Sequence, residues 1–167
     1  MKRFGIVLML QNKIIPYSEI AELSQKLHQQ GKKIVFTNGC FDILHCGHIL
    51  YLEKAKALGD ILILGLNSDA SVKRLKGNNR PIVSEKERAL VVAGLESVDY
   101  VCIFAQDTPY ELIDLIQPDV LVKGGDWTID KIVGADIVQK KGGKVLSLNY
   151  EQGFSTTNII ERIKQDK

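Results

Sequence analysis

The sequence lacks the long apolar run that a membrane-spanning helix requires. Its apolar N-terminal stretch extends only from Phe4 to Leu10, whereas a span needs about 20 residues. Polar residues 11–13 follow without a small-residue cleavage site, so a secretory leader is not indicated. We therefore expect no membrane association, and we expect residues 1–15 to form an arm that packs on the domain or on a partner.

Cysteine and net charge are also scarce. Cys40, Cys46 and Cys102 are odd in number and lack paired metal-ligand spacing, which argues against a disulfide framework and favours a reducing cytoplasm. The net charge of +2 is too small to indicate a nucleic-acid partner, and the basic residues concentrate only at 72–80. The length of 167 residues fits one domain, 1–167, with an α/β core over 16–167.

Apolar segments typical of buried strands alternate with amphipathic segments typical of helices. We expect about five of each, with Ser18 capping the first helix and Ser84 forming a capping box with Glu87. The strands are predicted at 32–39, 60–69, 99–104, 119–125 and 144–149. This alternation predicts a Rossmann-like, doubly wound, five-stranded parallel sheet. Ligands of such sheets bind at the carboxyl ends of the strands, where the strand order switches.

The segment "TNGCFDILHCGH" at 37–48 places His45 and His48 three residues apart. A metal site would need further ligands, and only Asp42 is near in sequence, since His28 lies in the first predicted helix. Two structural histidines are the plain alternative. The pair also follows a predicted strand and opens a predicted helix, whose free N–H groups favour an anion, and Gly47 lets a phosphate approach closely.

Two common nucleotide motifs are absent: the sequence has neither G-x-G-x-x-G nor the Lys-Ser/Thr ending of a P-loop. Instead, "GCFDILHCGH" together with "GFSTTNII" resembles the cytidylyltransferase-like nucleotidyltransferase superfamily. The segments "TNGCFDILHCGHILYLEKAKALGD", "LNSDASVKRLKG", "LVKGGD" and "GFSTTNIIERI" are similar to the adenylyltransferase domain of the ADP-heptose pathway. Members of that family join ATP to D-glycero-β-D-manno-heptose 1-phosphate and release pyrophosphate.

The resemblance implies a set of functional residues. It implies that His45, His48 and a lysine from the basic segment, Lys73 or Lys76, carry the catalysis. The nucleotide-binding residues it implies are Thr37, Asn38, Gly39, Cys40, Phe41, Gly47, Asn67, Asp69, Arg80, Arg88, Lys123, Gly124, Asp126, Ser155 and Thr156. Three of these residues also have ordinary structural interpretations: Ser155 as a helix cap, Asp126 as a cap in a turn, and Arg88 as a surface residue.

The resemblance also implies substrates and partners. ATP and a sugar 1-phosphate would be the substrates, and Mg²⁺ would be held mainly by phosphate oxygens and water rather than by the protein. In many bacteria this domain is fused behind a sugar kinase. Because no kinase region precedes it here, we expect a stand-alone transferase that works with a separate kinase and phosphatase, and the apolar arm would suit a homodimer interface.

Three alternatives stay open at this point. One is a cytidylyltransferase acting on an alcohol phosphate, although such relatives carry an arginine where this chain has Asn149. Another is a non-catalytic nucleotide-binding module, and the third is a zinc site built on the histidine pair. No covalent enzyme intermediate is expected, and we expect the Cys46 side chain to pack.

Overall fold

The computed structural model describes residues 10–149 and 153–165, and its centre is a parallel five-stranded sheet. The strands are β1 (Ile34–Gly39), β2 (Ile61–Asn67), β3 (Tyr100–Phe104), β4 (Val120–Gly124) and β5 (Lys144–Leu148). Their order is β3-β2-β1-β4-β5, with every neighbouring pair parallel. The order reverses between β1 and β4, so the predicted Rossmann-like, doubly wound sheet is confirmed.

Seven α-helices lie in the described ranges and connect or follow these strands. They are α1 (Ile20–Gln29), α2 (Cys46–Lys56), α3 (Asp69–Lys76), α4 (Glu85–Ala93), α5 (Tyr110–Ile116), α6 (Ala135–Lys140) and α7 (Thr156–Gln165). Short 3₁₀ turns occur at Tyr17–Glu19 and Ile129–Lys131. The predicted capping box of Ser84 and Glu87 is present at the start of α4.

Alternating side chains of the strands fill cores on both faces of the sheet. In β2, Ile63 packs with helices α1 and α5 on one face, whereas Leu62 and Leu64 pack with α2 and α4 on the other. Side chains of a strand point alternately to opposite faces, and both faces are covered here. This explains why the strands read as continuous apolar runs.

The prediction that Ser18 caps the first helix is wrong. Ser18 lies inside the 3₁₀ turn, and α1 begins only at Ile20, with Glu19 at the cap position and no capping side-chain hydrogen bond. The turn closes through a hydrogen bond from the Glu19 N–H to the Pro16 carbonyl. Ser18 therefore belongs to a turn that begins at Pro16 and cannot serve as the cap of α1.

A helix is missing from the sequence prediction. The basic segment, expected to be a loop, is helical through Lys76 as α3. Ser68 begins the helix, because its hydroxyl accepts a hydrogen bond from the Ser71 N–H, and Gly77 ends it at a φ of 92°. The segment is highly charged, and only Ser71 and Val72 of this short helix are buried, so its sequence shows little helical periodicity.

Residues 10–15 of the N-terminal arm pack on the edge of the sheet. The Ile15 N–H donates to the carbonyl of Val101, whose N–H donates to the Lys13 carbonyl. These bonds cover the outer edge of β3, which would otherwise expose unpaired backbone groups. Residues 1–9, and with them most of the proposed dimer-forming stretch, lie outside the described residues. Within the part of the chain that the structure describes, no helix is both long and apolar enough to cross a membrane.

Candidate active site

A cleft of about 370 Å³ opens at the carboxyl ends of the strands, beside the switch between β1 and β4. Its floor comes from the end of β1, and its walls come from α3, the segment after β3 and the segment after β4. The lining residues are Asn38–Asp42, His48, Tyr51, Asn67, Leu75, Lys76, Arg80, Asp107–Pro109, Leu121, Lys123, Trp127, Lys131–Val133 and Thr156. This is the position at which a doubly wound sheet binds its ligand.

The two motif histidines stack on each other at the start of α2. His45 holds the cap position of the helix in extended conformation, and its ring centroid lies 3.8 Å from that of His48. The Nδ1 atoms of both rings are buried and have no hydrogen-bond partner among the described residues. A buried polar atom without a partner is costly, so the stacked pair suits a site that a polar ligand completes.

Two glycines let aromatic rings close around this pair. A Cβ on Gly39 would lie 2.8 Å from the Phe41 ring, whose centroid is 5.1 Å from that of His48. A Cβ on Gly47 would lie 3.0 Å from the Cβ of Phe154 and 3.1 Å from Nδ1 of His45. Gly47 therefore leaves room for Phe154 beside the histidine, in addition to any approach by a phosphate.

Burial favours the neutral form of both histidines. Loss of solvation lowers the pKa of His48 to about 4, and the nearby His45 and Lys76 charges act in the same direction. Burial also lowers the pKa of His45 below its usual value. Two cationic rings stacked in contact would repel each other, so neutrality allows the close stack.

The low pKa of His48 predicts acid sensitivity of the fold. The unfolded histidine has a pKa of about 6.5, so between that pH and about 4 the unfolded state binds the extra proton. The stabilising contribution is complete above the unfolded pKa and is lost as the pH falls towards the folded pKa. We expect His48→Gln to flatten this part of the stability profile. Urea unfolding from pH about 7.5 down to about 4.5 measures it, and equal profiles for wild type and variant would contradict the prediction.

Of the two candidate lysines, only Lys76 lines the cleft. Lys76 is in the last turn of α3, and its charge acts on His48. Both lysines are exposed, but Lys73 lies outside the cleft lining. The tertiary structure thus separates two residues that the spacing leaves equivalent.

Asp42 clamps the segment that follows α3 onto the cleft floor. Its carboxylate accepts hydrogen bonds from Arg80 Nε at 2.7 Å and from the N–H groups of Ile82 and Val83, each at 2.9 Å to Oδ1. Burial alone would raise the pKa of Asp42, but the hydrogen bonds from Val83, Ile82 and Arg80 hold it below its usual range. These hydrogen bonds hold Arg80 in the lining of the cleft. From the sequence, Asp42 is weighed only as a possible metal ligand.

Arg88 is not a surface residue: its buried side chain ties the ends of β1 and β2 to the segment between α3 and α4. Its guanidinium donates to the carbonyls of Cys40, Asn67 and Val83 and to the Asp69 carboxylate. The side chain is fully buried and is absent from the cleft lining. The interpretation of Arg88 as a surface residue is therefore wrong. The Asp69 carboxylate accepts one of these hydrogen bonds and does not line the cleft.

The carboxyl end of β4 and the start of α7 complete the site. The Lys123 ammonium lies 3.4 Å from Oδ1 of Asn38, and burial lowers its pKa. The Ser155 hydroxyl accepts hydrogen bonds from the Thr157 and Asn158 N–H groups, which confirms its capping role. The Thr156 hydroxyl donates to the Ile43 carbonyl, which joins the start of α7 to the segment that follows β1.

A family model described as Cytidylyltransferase-like matches residues 36–162, a range that includes the cleft and the stacked histidines. The chain belongs to the cytidylyltransferase-like family. The predicted superfamily membership is thereby confirmed.

Individual relatives of this chain have more than half of the aligned residues in common with it. The chain is 59% identical over 135 residues to the bifunctional protein HldE of Syntrophotalea carbinolica, and 57% identical over 148 residues to that of Nitratiruptor sp.. These alignments cover 81% and 89% of this chain, but 28% and 31% of the relatives. The chain therefore spans less than a third of the length of these relatives.

Two solved structures are similar in fold. The lipopolysaccharide core biosynthesis protein from Thermoplasma volcanium matches with a TM-score of 0.58 and 31% identity, over 72% of this chain and 98% of that one. Pantothenate synthetase from Thermus thermophilus has a TM-score of 0.57 at 19% identity, over 92% of this chain and 70% of that one. The second likeness concerns the fold alone.

Only some of the nucleotide-binding and catalytic residues that the resemblance implies line the cleft. Ten of them line the cleft: Asn38, Gly39, Cys40, Phe41, His48, Asn67, Lys76, Arg80, Lys123 and Thr156. His45 and Ser155 line a second cleft beside α7. The remainder are absent from both linings: Thr37, Gly47, Asp69, Lys73, Arg88, Gly124 and Asp126.

Two of these residues, Thr37 and Asp126, and also Cys46 have partners or surroundings that differ from the expectation. The Thr37 hydroxyl is buried and lies 2.6 Å from the Tyr51 hydroxyl. Asp126 is exposed, and the following 3₁₀ turn begins after Thr128, so the expected cap at Asp126 is wrong. Cys46 is exposed at the first turn of α2, so the expectation that it packs is also wrong.

The sequence interpretation misses part of the cleft. Leu75, Asp107–Pro109, Trp127 and Lys131–Val133 all line it. Several of them lie inside or beside segments that the resemblance already covers, but the sequence assigns a role to none of them. Their position after strands β2, β3 and β4 is the signal that could have indicated them.

The described residues offer no ready metal site. No group of three or more His, Cys, Asp or Glu side chains converges among them. Asp42, the one acidic neighbour of the histidines in sequence, has both oxygens bonded to Arg80, Ile82 and Val83. The zinc alternative thus finds no third ligand in residues 10–149 and 153–165.

Proposed function

We propose that this chain transfers the adenylyl group of ATP to a sugar 1-phosphate, D-glycero-β-D-manno-heptose 1-phosphate, and gives ADP-heptose and pyrophosphate. The observation that carries the proposal is the cleft itself, whose lining brings His48, stacked on His45, together with Lys76, Lys123 and Arg80. The identity to HldE proteins and the likeness to a lipopolysaccharide core biosynthesis protein support the heptose branch and a role in surface glycans.

The chemistry needs positioning more than acid–base catalysis. A phosphate monoester has a second pKa of about 6, so the acceptor is largely dianionic at neutral pH and is itself the nucleophile. One of its oxygens forms a bond to the α-phosphorus of ATP while the bond from that phosphorus to the α–β bridging oxygen breaks. Pyrophosphate takes the electron pair and leaves, so no covalent enzyme intermediate and no cysteine is required.

The cationic and N–H groups of the cleft offset the charge that builds up in this step. Lys76, Lys123 and Arg80 approach from three different segments, and a neutral imidazole of His48 contributes one N–H donor. The start of α7, where a helix carries partial positive charge, adds a further anion-binding element. Because two anions must meet, such electrostatic stabilisation dominates the rate.

Mg²⁺ is proposed as a substrate-borne ion. No carboxylate cluster is present in the described ranges to hold it, and Mg²⁺ is commonly bound by substrate phosphates and water. No residue of this chain is assigned as its ligand, and the roles proposed for the side chains do not depend on it.

Lys76 is expected to act on the phosphates, with Lys73 as its matched control one helical turn earlier. Lys76→Met should lower kcat/KM by about 10- to 100-fold, because a charge-assisted contact in the transition state is lost. Lys73→Met should change it by less than about threefold, because an exposed charge outside the cleft contributes weakly. Steady-state kinetics of both variants decide the assignment, and a larger loss for Lys73→Met would reverse it.

A turnover screen tests the function. Purified protein is incubated with ATP or CTP and with heptose 1-phosphates of both anomers, other sugar 1-phosphates or glycerol 3-phosphate, and pyrophosphate release is measured. We expect release with ATP and the β-heptose 1-phosphate. Release with CTP and glycerol 3-phosphate would support the cytidylyltransferase alternative, against which Asn149 argues. ATP binding without release in any combination would leave a non-catalytic module.

The proposed reaction also defines its partners. A kinase must supply the sugar 1-phosphate, and a phosphatase must precede this step if the kinase makes a bisphosphate. We propose that these reactions take place in the cytoplasm and that the chain forms a homodimer, which size-exclusion chromatography with light scattering would test.

A further inference from the structure

Trp127 is a fixed aromatic surface in the wall of the cleft. Its side chain is 48% exposed, yet its indole N–H donates to the Gly124 carbonyl at 3.1 Å. Its backbone N–H donates to the hydroxyl of Ser147, also at 3.1 Å. One bond holds the ring and the other holds the backbone of the residue, while about half of the residue stays exposed in the lining of the cleft.

The polar groups that share the cleft with this ring suit a polyhydroxylated ligand. Asp107, Thr108, Lys131 and Asn67 line the same cleft and offer both donors and acceptors. A pyranose presents one C–H face that packs on an aromatic ring, and it directs its hydroxyl groups outward to such polar partners. A cleft with one aromatic wall and several polar side chains therefore matches a sugar ring.

The nucleoside has a different place available. The stacked histidines separate two clefts, since His48 lines the first and His45 lines the second. The second cleft carries Phe154 and Ile159 beside the start of α7. A triphosphate bound at the histidines and at α7 could thus direct its nucleoside towards Phe154 and leave the Trp127 side for the acceptor.

We propose that Trp127 is a specificity residue that stacks on the sugar ring of the acceptor phosphate. This rests on the transferase function proposed above and assigns the sugar to the wall formed after β4. Trp127 contributes to binding of the acceptor and makes no contact with the reacting phosphorus, so its loss raises the KM for the sugar phosphate more than it lowers kcat.

Kinetics of three variants test the proposal. Trp127→Leu removes the ring and should raise the KM for heptose 1-phosphate about 10-fold, with a change of less than about twofold in the KM for ATP. Trp127→Phe keeps an aromatic face and should recover most of the loss. Tyr110→Leu is the control, because Tyr110 is an exposed aromatic residue, 43% accessible, that does not line the cleft. A rise in the KM for ATP alone, or no change in either KM, would overturn the proposal.

Fluorescence provides a test that does not require turnover. Trp127 is the single tryptophan of the chain, so its emission reports on this wall alone. Heptose 1-phosphate, added to the wild-type protein with and without a saturating non-hydrolysable ATP analogue, should change the emission saturably, whereas inorganic phosphate should not. An emission change with the ATP analogue alone, and none on adding the sugar phosphate, would place Trp127 at the nucleoside and overturn the proposal.

The two tests also separate this proposal from the function on which it rests. Wild-type turnover of ATP and heptose 1-phosphate with unaltered kinetics in Trp127→Leu overturns only the role of Trp127. Absence of turnover together with no response of the emission to heptose 1-phosphate overturns both.

Discussion

Replacing His48 with alanine lowers kcat by about 100-fold or more while the protein remains folded, because one positioned electrostatic donor is worth about 10²–10³ in rate. His48 lines the cleft and stacks on His45, and the charge of Lys76 helps to lower its pKa. Its low pKa means that the free protein presents a neutral ring at neutral pH, which can donate a hydrogen bond without repelling Lys76. Steady-state pyrophosphate release at saturating substrates measures the loss.

His28→Ala is the matched control for this prediction. His28 lies on α1, and its Nε2 is 3.1 Å from the Gln117 carbonyl, in a part of the fold away from the cleft lining. Its replacement should leave kcat within about twofold of wild type. Circular dichroism establishes that both variants fold, and a folded His48→Ala protein with near-normal turnover would refute the catalytic assignment.

Replacing Arg88 with methionine lowers the free energy of unfolding by about 3–5 kcal/mol, because it leaves buried carbonyl groups without donors. The guanidinium holds the carbonyls of Cys40, Asn67 and Val83 together with the Asp69 carboxylate. Methionine fills a similar volume but offers no donor, so the loss reports the hydrogen bonds rather than a cavity. Urea unfolding followed by circular dichroism gives the difference.

Arg74→Met separates this effect from the loss of any arginine. Arg74 also pairs with an aspartate, Asp107, at 2.6 Å, but the two side chains are 48% and 76% exposed. An exposed ion pair contributes about 0–1 kcal/mol, so we expect a correspondingly small change. Equal destabilisation by the two substitutions would show that Arg88 is not the buried tie described above.

The local patterns in the sequence were reliable where neighbouring residues decide the structure. The continuous apolar runs at β1 and β2 indicated strands buried on both faces, and the capping box at Ser84 indicated the start of α4. The position of His45 and His48 at the beginning of a helix was also predictable, because it follows from a strand, a glycine-containing turn and an amphipathic segment in succession.

Local patterns failed where competing short-range signals were present. The serine before α1 is a good cap by type, yet Pro16 starts a 3₁₀ turn that includes it. The basic segment at α3 looks like a loop because its polar residues conceal two buried positions, Ser71 and Val72. Sequence periodicity is too weak over so short a helix to decide such a case.

The sequence by itself determined the class of fold, the family and the histidine motif, since these depend on residue order within short segments. Only the tertiary structure decided that Lys76 and not Lys73 lines the cleft, that Arg88 is buried, that Asp42 clamps Arg80, and that Trp127 forms a wall. The physical reason is the strand order β3-β2-β1-β4-β5. It brings segments from distant parts of the chain to one edge, where packing and hydrogen bonding choose which side chains face the ligand.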